Sequence, residues 1–144
     1  MEQLDIGVGV VTGVVGVAGF EVVVVGEQAH AGTTAMAYIE TAGMSSRRPT
    51  QKRRKDALVA ASESVIAIES ICAGEAGSGS TMLVCTVGQM IVKPNERNVV
   101  PGLVSFSLDI RSLSRQLLQE KIDKIKKEIQ YICERRLVEV HFQV

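Results

Sequence analysis

Alternating apolar and polar positions predict the strands of this chain. In residues 103–111, LVSFSLDIR, and again in residues 138–144, VEVHFQV, every second side chain is apolar, as in a strand with one buried face. Valine-rich runs predict further extended segments: residues 6–25 as two pieces that bend near the glycines at 16 and 19, and residues 81–92 as one long strand. The polar stretch KPNERNVVPG, residues 93–102, predicts a turn.

Two other segments repeat their apolar residues at steps of three and four, which predicts amphipathic helices. The first covers residues 55–73 and is closed by Gly74, and the second follows Ser114, a good N-cap residue. The expected core faces are Leu58, Ala61, Val65, Ile68 and Cys72 in the first helix and Leu118, Ile122, Ile125, Ile129 and Ile132 in the second. The first helix also has a second apolar side, formed by Val59, Ile66 and Ile71, which indicates a second packing partner.

The order of these segments predicts an α+β fold. We expect a ferredoxin-like, four-stranded antiparallel sheet with two helices on one face. A chain of 144 residues suffices for one domain with a single core, and no repeat is visible.

Composition narrows the classes of partner. Lys plus Arg and Asp plus Glu number 16 each, and the chain has no Trp, two Tyr and three Phe, so neither charge nor stacking surfaces favour nucleic acid. Residues 6–20 are apolar but contain five glycines and are too short to span a bilayer, so no membrane partner is expected. Cys72, Cys85 and Cys133 are odd in number and lie in apolar patterns, which predicts buried free thiols and a reducing, cytoplasmic location.

Most familiar catalytic motifs are not found. GVGVVTG, residues 7–13, has the glycines of a dinucleotide-binding loop, but no strand precedes it and no helix follows. Two distant histidines and three cysteines in apolar settings do not form a metal ligand set, and no G-x-S-x-G motif occurs. The basic residues Arg47, Arg48, Lys52, Arg53, Arg54 and Lys55 are interpreted as a solvated face rather than an anion site.

Three polar residues stand out by position. His30 follows a strand, Asn98 lies in the turn before VVPG, and Arg111 ends a strand on its polar face. Together they could bind a carboxylate or amide, with Arg111 as a bidentate clamp and His30 as a donor to a developing oxyanion. The alternative is that they are a turn histidine, an Asx-turn asparagine and a surface arginine.

The motifs LDIGV...VVTGVVGV, GEQAHAGTTAM, RKDALVAASE and NVVPGLVSFSLDIRS together resemble the lid or dimerisation domain of metal-dependent amidohydrolases of the M20 peptidase superfamily. The resemblance is to N-carbamoyl-L-amino-acid hydrolases, with β-ureidopropionase and allantoate amidohydrolase as relatives. It implies that His30, in the A-H-A-G motif, is catalytic, reaching towards a two-metal site, usually that of the partner subunit, to polarise the scissile carbonyl. Asn98 and Arg111, which match the Asn of the family's N-V-I-P-G motif and the Arg of its L-D-I-R motif, would bind the substrate's carboxylate and nearby polar groups.

The resemblance further implies a homodimer and a parent enzyme that cleaves a ureido C–N bond of N-carbamoyl amino acids or similar small carboxylates. Two divalent metal ions, zinc, manganese or similar, would activate the water there. No segment of the sequence resembles the family's metal-binding catalytic domain, so residues 1–144 are expected to be a single lid and dimerisation domain that lacks it, is inactive alone and holds no metal or other cofactor. Residues 37–54 are an expected loop insertion where the family has a few residues, and Ala35 replaces the usual proline.

A different class of function remains open from the sequence. The chain could be a non-catalytic ferredoxin-like module for protein association or small-ligand sensing, in which His30, Asn98 and Arg111 have no joint role.

Overall fold

Nine helices and strands are defined in the computed structural model, which describes residues 15–34, 36, 53–73 and 82–144. The two helices are α1 (Ala57–Ala73) and α2 (Arg115–Arg135). The strands are β1 (Gly16–Val25), β2 (Ala29–His30), β3 (Leu83–Thr86), β4 (Met90–Lys93), β5 (Val99–Val100), β6 (Leu103–Ser112) and β7 (Glu139–Gln143).

Strand β6 lies at the centre of the main sheet. It pairs with β1 along one edge, while β3 and β4 share its other edge, and β7 pairs with the far side of β1. All of these pairs are antiparallel. The described residues thus form an α+β domain with an antiparallel sheet and two helices, in agreement with the predicted class.

The sheet has five strands rather than the expected four because its edge is divided. Residues 81–92 were expected to form one strand, but β3 and β4 are separated by residues 87–89. Thr86 pairs with Asp109, and Met90 pairs with Phe106. The two edge residues are four positions apart in sequence, whereas their partners on β6 are three positions apart. One extra residue therefore lies in the edge, as in a β-bulge. Gln89 is held there by backbone and hydroxyl hydrogen bonds to Ser107 of 3.0 and 3.1 Å.

Both helices pack on one face of the sheet, as predicted. Val104, Phe106, Leu108 and Ile110 of β6 are at most 1% exposed and form one core with residues of both helices. The contributing helix residues are Ala57, Ala60, Ala61, Ile68 and Cys72 from α1 and Leu118, Ile125, Ile129 and Cys133 from α2. Ile122 is only partly buried, whereas Lys121, which was not expected in the core, is 2% exposed.

Charged side chains tie the helices to each other and to the sheet. Glu63 of α1 forms ion pairs with Arg135 and Arg136 at the end of α2. The Lys126 ammonium lies 5.1 Å and 5.4 Å from the ring centres of Phe20 and Phe142, which themselves meet edge to face. Such contacts between a cation and an aromatic ring each contribute about 0.5–1 kcal/mol at partly exposed sites.

The bend expected at the glycines of the first strand is wrong in the described part. β1 runs unbroken through Gly16 and Gly19, because both residues keep the pairing register with Ser112 and Asp109. The other half of the predicted bent segment and the glycine-rich loop at 7–13 lie outside the described residues.

The prediction of three free thiols is wrong for two of them. Cys72 at the end of α1 and Cys85 in β3 form a disulfide, so the inference of a reducing compartment loses this support. Spacing alone could not reveal the pair, because its two sulfurs meet only when α1 packs on the sheet edge. Cys133 is a buried free thiol as predicted, and burial together with the charge of Glu63 raises its pKa to about 11. No helix in the described part is long and apolar enough to cross a membrane.

Removing the disulfide through Cys72→Ser with Cys85→Ser is expected to lower the free energy of unfolding by about 3 kcal/mol. The closed loop has a sequence separation of 13, and loops of that size restrict the unfolded chain by roughly this amount. Urea unfolding of the oxidised wild type and the double variant measures the loss, with the reduced wild type as the matched control. Titration of three thiols in unfolded, unreduced protein would contradict the bond itself.

Candidate functional site

His30 and Asn98 are brought together by a small second sheet. Strand β2 pairs antiparallel with β5, so that His30 lies opposite Val99, and the Ala31 N–H donates to the Asn98 carbonyl at 2.9 Å. The sequence predicts a turn over residues 93–102, and its pattern gives no signal for the two-residue strand β5. Its pairing is what places the two predicted site residues side by side.

Backbone hydrogen bonds connect the chain before β2, the chain after β5 and the start of α1. The Gly26 and Glu27 N–H groups donate to the carbonyls of Gly102 and Lys55 at 2.8 Å, and the Ala57 N–H donates to the Pro101 carbonyl at 3.1 Å. A Cβ at Gly26 would lie 2.3 Å from the Lys55 carbonyl oxygen, so a side chain there would force the backbone apart. The start of α1 therefore supports the chain that leads to His30.

The His30 ring is oriented by its own turn. The Gly32 N–H donates to Nδ1 of His30 at 3.2 Å, and the Thr34 hydroxyl donates to the His30 carbonyl at 2.9 Å. Because Nδ1 accepts a hydrogen bond, the proton of the neutral imidazole belongs on Nε2. A Cβ at Gly32 would lie 3.2 Å from Cε1 of the ring, which gives a physical reason for glycine at this position of the A-H-A-G motif. The exposed ring can then donate from Nε2 to a ligand oxygen.

Asn98 is exposed in the turn before β5. Its backbone carbonyl is used by Ala31, but its side-chain amide forms no hydrogen bond within the described part of the chain. The Asx-turn alternative therefore has no support in the structure. The amide can donate to and accept from a ligand next to His30.

Arg111 is not brought to this site. It lies near the other end of β6, and from 103 to 111 the strand extends roughly 27 Å at about 3.4 Å per residue. Arg111 is on the face opposite the helices, as predicted, and its Nε and Nη2 donate to the two Asp109 oxygens at 2.8 and 3.2 Å. The hydrogen bond from Arg111 holds the pKa of Asp109 below its usual range, and the same contact raises the pKa of Arg111.

A groove of about 410 Å³ lies beside this ion pair on the open face of the sheet. The residues that line the groove include Gly19, Glu21, Ser107 and Asp109. Because Gly19 has no side chain, the groove is deeper at that position. No sequence pattern predicts the groove, because the groove depends on the strand register that places Gly19 opposite Asp109.

Arg54 was also missed, and for it the interpretation of the basic cluster as a solvated face is wrong. Its side chain is only 15% exposed, and its guanidinium lies against the His30 turn and Asp56. Arg53 is exposed as expected and Lys55 is partly buried, while the three other basic residues of the cluster lie outside the described residues. The available signal was Asp56, an acidic residue directly before an apolar repeat, which is typical of a helix N-cap.

The described part of the chain offers no set of ligands for the divalent metal that the sequence resemblance implies for a parent enzyme. Among residues 15–34, 36, 53–73 and 82–144, no three His, Cys, Asp or Glu side chains converge on a point. Metal sites in proteins need several such ligands, so the described residues do not fit a metal ion.

In its neutral form, the His30 ring is expected to be the Nε2–H tautomer, because Nδ1 accepts from the Gly32 N–H. Long-range ¹H–¹⁵N NMR distinguishes the two ring nitrogens, and His141, exposed on β7, is the internal control with an expected mixture of tautomers. Gly32→Ala should give His30 the same mixture, because the added Cβ displaces the ring. A proton on Nδ1 of His30 in the wild type would contradict this geometry.

Comparison with known proteins assigns the chain to a family. The peptidase dimerisation domain of the M20 family matches residues 12–140. Allantoate deiminase 2 of Glycine max is 32% identical over 152 residues, covering 96% of this chain, and an N-carbamoyl-L-amino-acid amidohydrolase of Paenarthrobacter aurescens is 38% identical over 125 residues, covering 87% of it.

A solved amidase of the hydantoinase/carbamoylase family from Burkholderia multivorans superposes with a TM-score of 0.74 at 30% identity, covering 90% of this chain and 27% of the amidase. The chain spans only 28% and 26% of the lengths of the two enzymes above. It therefore corresponds to one part of such proteins, and it belongs to the M20 peptidase dimerisation domain family.

Proposed function

We propose that this chain is the lid and dimerisation domain of a metal-dependent amidohydrolase that cleaves the ureido C–N bond of N-carbamoyl amino acids or similar compounds. The observation that carries the proposal is the His30 turn, in which Nδ1 accepts from Gly32 so that Nε2 of the exposed ring is left to donate, next to an Asn98 amide that has no hydrogen bond among the described residues. The names of the similar enzymes, allantoate deiminase and N-carbamoyl-L-amino-acid amidohydrolase, support the substrate class. The chain supplies substrate contacts and dimer contacts, and residues 37–54 are an insertion in it.

In this function, His30 stabilises charge on the substrate. Hydrolysis of a ureido group puts negative charge on the carbonyl oxygen in the transition state, and a donor placed at that oxygen stabilises it more than the ground state. Asn98 would bind the neighbouring polar group. Divalent metal bound elsewhere in the parent enzyme would supply the activated water, since the described residues offer no ligands for it.

Arg111 would bind the substrate's carboxylate. Asp109 occupies the Nε and Nη2 edge of the guanidinium, so the edge formed by Nη1 and the outer Nη2 hydrogen stays available for a bidentate pair. This arginine is too far from His30 for both to contact one small substrate within a single chain. The complete substrate site therefore takes His30 and Asn98 from one protomer and Arg111 from its partner.

The proposed homodimer uses the edge formed by β3 and the adjoining side of α1. β3 pairs with β6 on one side only among the described residues, and an unpaired edge favours pairing with a second copy across a two-fold axis. Val59 and Ile66 of α1 are 41% and 67% exposed, and Cys72 at the end of α1 lies against Cys85 of β3. We also propose that the sheet is ferredoxin-like, with β3 and β4 acting as one interrupted edge strand.

The cytoplasmic location expected from the sequence remains a proposal. In a reducing compartment Cys72 and Cys85 would be thiols, so alkylation in acid-quenched cells would find three thiols in the unfolded chain. A single thiol, that of Cys133, would place the chain in an oxidising compartment.

Ile66→Lys is expected to weaken the dimer by about 30-fold or more in Kd. Full burial of an isoleucine contributes about 1.5–3 kcal/mol, and Ile66, 67% exposed in the single chain, would bury that exposed part in the dimer. A two-fold interface contains this contact twice, so the substitution removes it twice. Sedimentation velocity over a concentration series measures the change. Tyr131→Lys, at a 60% exposed position on α2, is the matched control and should leave the dimer intact. A wild-type monomer at high micromolar concentration, or equal effects of both variants, would contradict the proposed surface.

The catalytic part of the proposal is tested by exchanging domains. Residues 1–144 replace the matching part of the Paenarthrobacter aurescens amidohydrolase, and the hybrid should hydrolyse N-carbamoyl amino acids. His30→Ala should then lower kcat about 100-fold, the loss typical of one oxyanion donor. Arg111→Lys should lower kcat/KM about 30-fold, which corresponds to the roughly 2 kcal/mol lost when a bidentate pair is cut. Arg115→Lys, an exposed residue of α2, is the control.

Two results would count against the proposed function. A folded, dimeric hybrid without activity would favour a non-catalytic association module. Full activity after His30→Ala would remove this residue from the chemistry. The isolated chain carrying Arg111→Lys should melt like the wild type, because Arg111 is exposed and outside the core.

A further inference from the structure

We propose that Arg54 is a positioning residue for His30, an inference that rests on the proposed role of His30 as a donor to the substrate. Arg54 lies three positions before the start of α1 and 24 positions after His30 in sequence, yet its Nη2 donates to the Ala31 carbonyl at 3.3 Å. Ala31 is the residue after His30, and its N–H is bonded to Asn98. The guanidinium therefore holds the same peptide segment that orients the imidazole and joins it to Asn98.

Asp56 anchors the guanidinium to the start of α1. Its Oδ1 accepts the N–H groups of Leu58 and Val59 at 3.1 and 3.2 Å, which caps the helix, and its Oδ2 lies 3.8 Å from Nη1 of Arg54. The first turn of α1 is packed into the core, where Ala57, Ala60 and Ala61 are fully buried. One carboxylate thus connects a fixed helix end to the His30 turn through Arg54.

A third contact joins Arg54 to the residue before the expected insertion. Nη1 of Arg54, the last residue of the stretch 37–54, lies 2.8 Å from Sδ of Met36. Arg54 therefore meets the segment that follows His30 at a second point besides the Ala31 carbonyl.

The burial of Arg54 favours a role for its guanidinium beyond filling space in the core. Its side chain is 15% exposed, and its Nε is buried with no hydrogen-bond partner within the described residues. Burying an unpaired N–H is unfavourable, and methionine would fill similar space without that cost. Only a planar group with several donors can contact Ala31, Asp56 and Met36 at once, which a lysine ammonium cannot reproduce.

Arg54→Met and Arg54→Lys test the proposal, with Arg53→Met at the exposed neighbouring position as the matched control. In the 144-residue chain, both Arg54 variants should change His30 from a single Nε2–H tautomer to a mixture like that of His141, measured by long-range ¹H–¹⁵N NMR. In the hybrid amidohydrolase, both should lower kcat about tenfold, with KM changed less than about twofold, because a displaced donor weakens transition-state contacts. Arg53→Met should leave the His30 tautomer, kcat and KM unchanged.

Melting temperatures separate positioning from general stability. Arg54→Lys retains the charge opposite Asp56, so it should melt within a few degrees of the wild type while still altering the His30 signals. Unaltered His30 signals in both Arg54 variants, or a fall in melting temperature as their only effect, would overturn the proposal. An inactive wild-type hybrid would overturn the proposed function instead, and the NMR comparison would still decide whether Arg54 orients His30.

Discussion

The domain depends on the two-sided pairing of β6. This strand is hydrogen-bonded to β1 over its whole length and to β3 and β4 on its other edge, and four of its side chains lie in the core under both helices. Burial of each contributes about 1.5–3 kcal/mol, so the four together contribute about 6–12 kcal/mol, as much as the net stability of a typical domain. A slip by one residue would turn all four towards solvent, which explains why the register is strongly specified.

This constraint also decides what sequence patterns can and cannot predict. The alternation in 103–111 and the apolar repeat after Ser114 are long and regular, and the structure confirms β6 and α2 with their buried faces. The extra residue at 87–89 was missed because an apolar run gives the same signal with or without a bulge. The Cys72–Cys85 bond and the burial of Arg54 were missed because both depend on contacts between segments that only the folded chain brings together.

The candidate site was predicted as one cluster and is found as two. His30 and Asn98 meet because β2 and β5 pair, although 68 positions separate them in the sequence. Asn98 and Arg111 are only 13 positions apart, yet β6 is fully extended between them and carries them to different ends of the sheet. Sequence proximity is a poor guide within a strand, because each residue of a strand covers about 3.4 Å, more than twice the rise of a helix.

The contacts that stabilise the fold and the residues proposed for function occupy different parts of the domain. The disulfide, the Glu63 ion pairs and the Lys126 contacts all lie on the side of the sheet that carries the helices. Arg111 lies on the opposite face with an exposed ion pair to Asp109, and such pairs contribute little to stability because water and salt screen them. His30 and Asn98 project from a two-residue strand pair beyond the end of the main sheet. Because the core does not rely on these residues, they can be selected for what they bind, while β6 fixes the distance between their two locations.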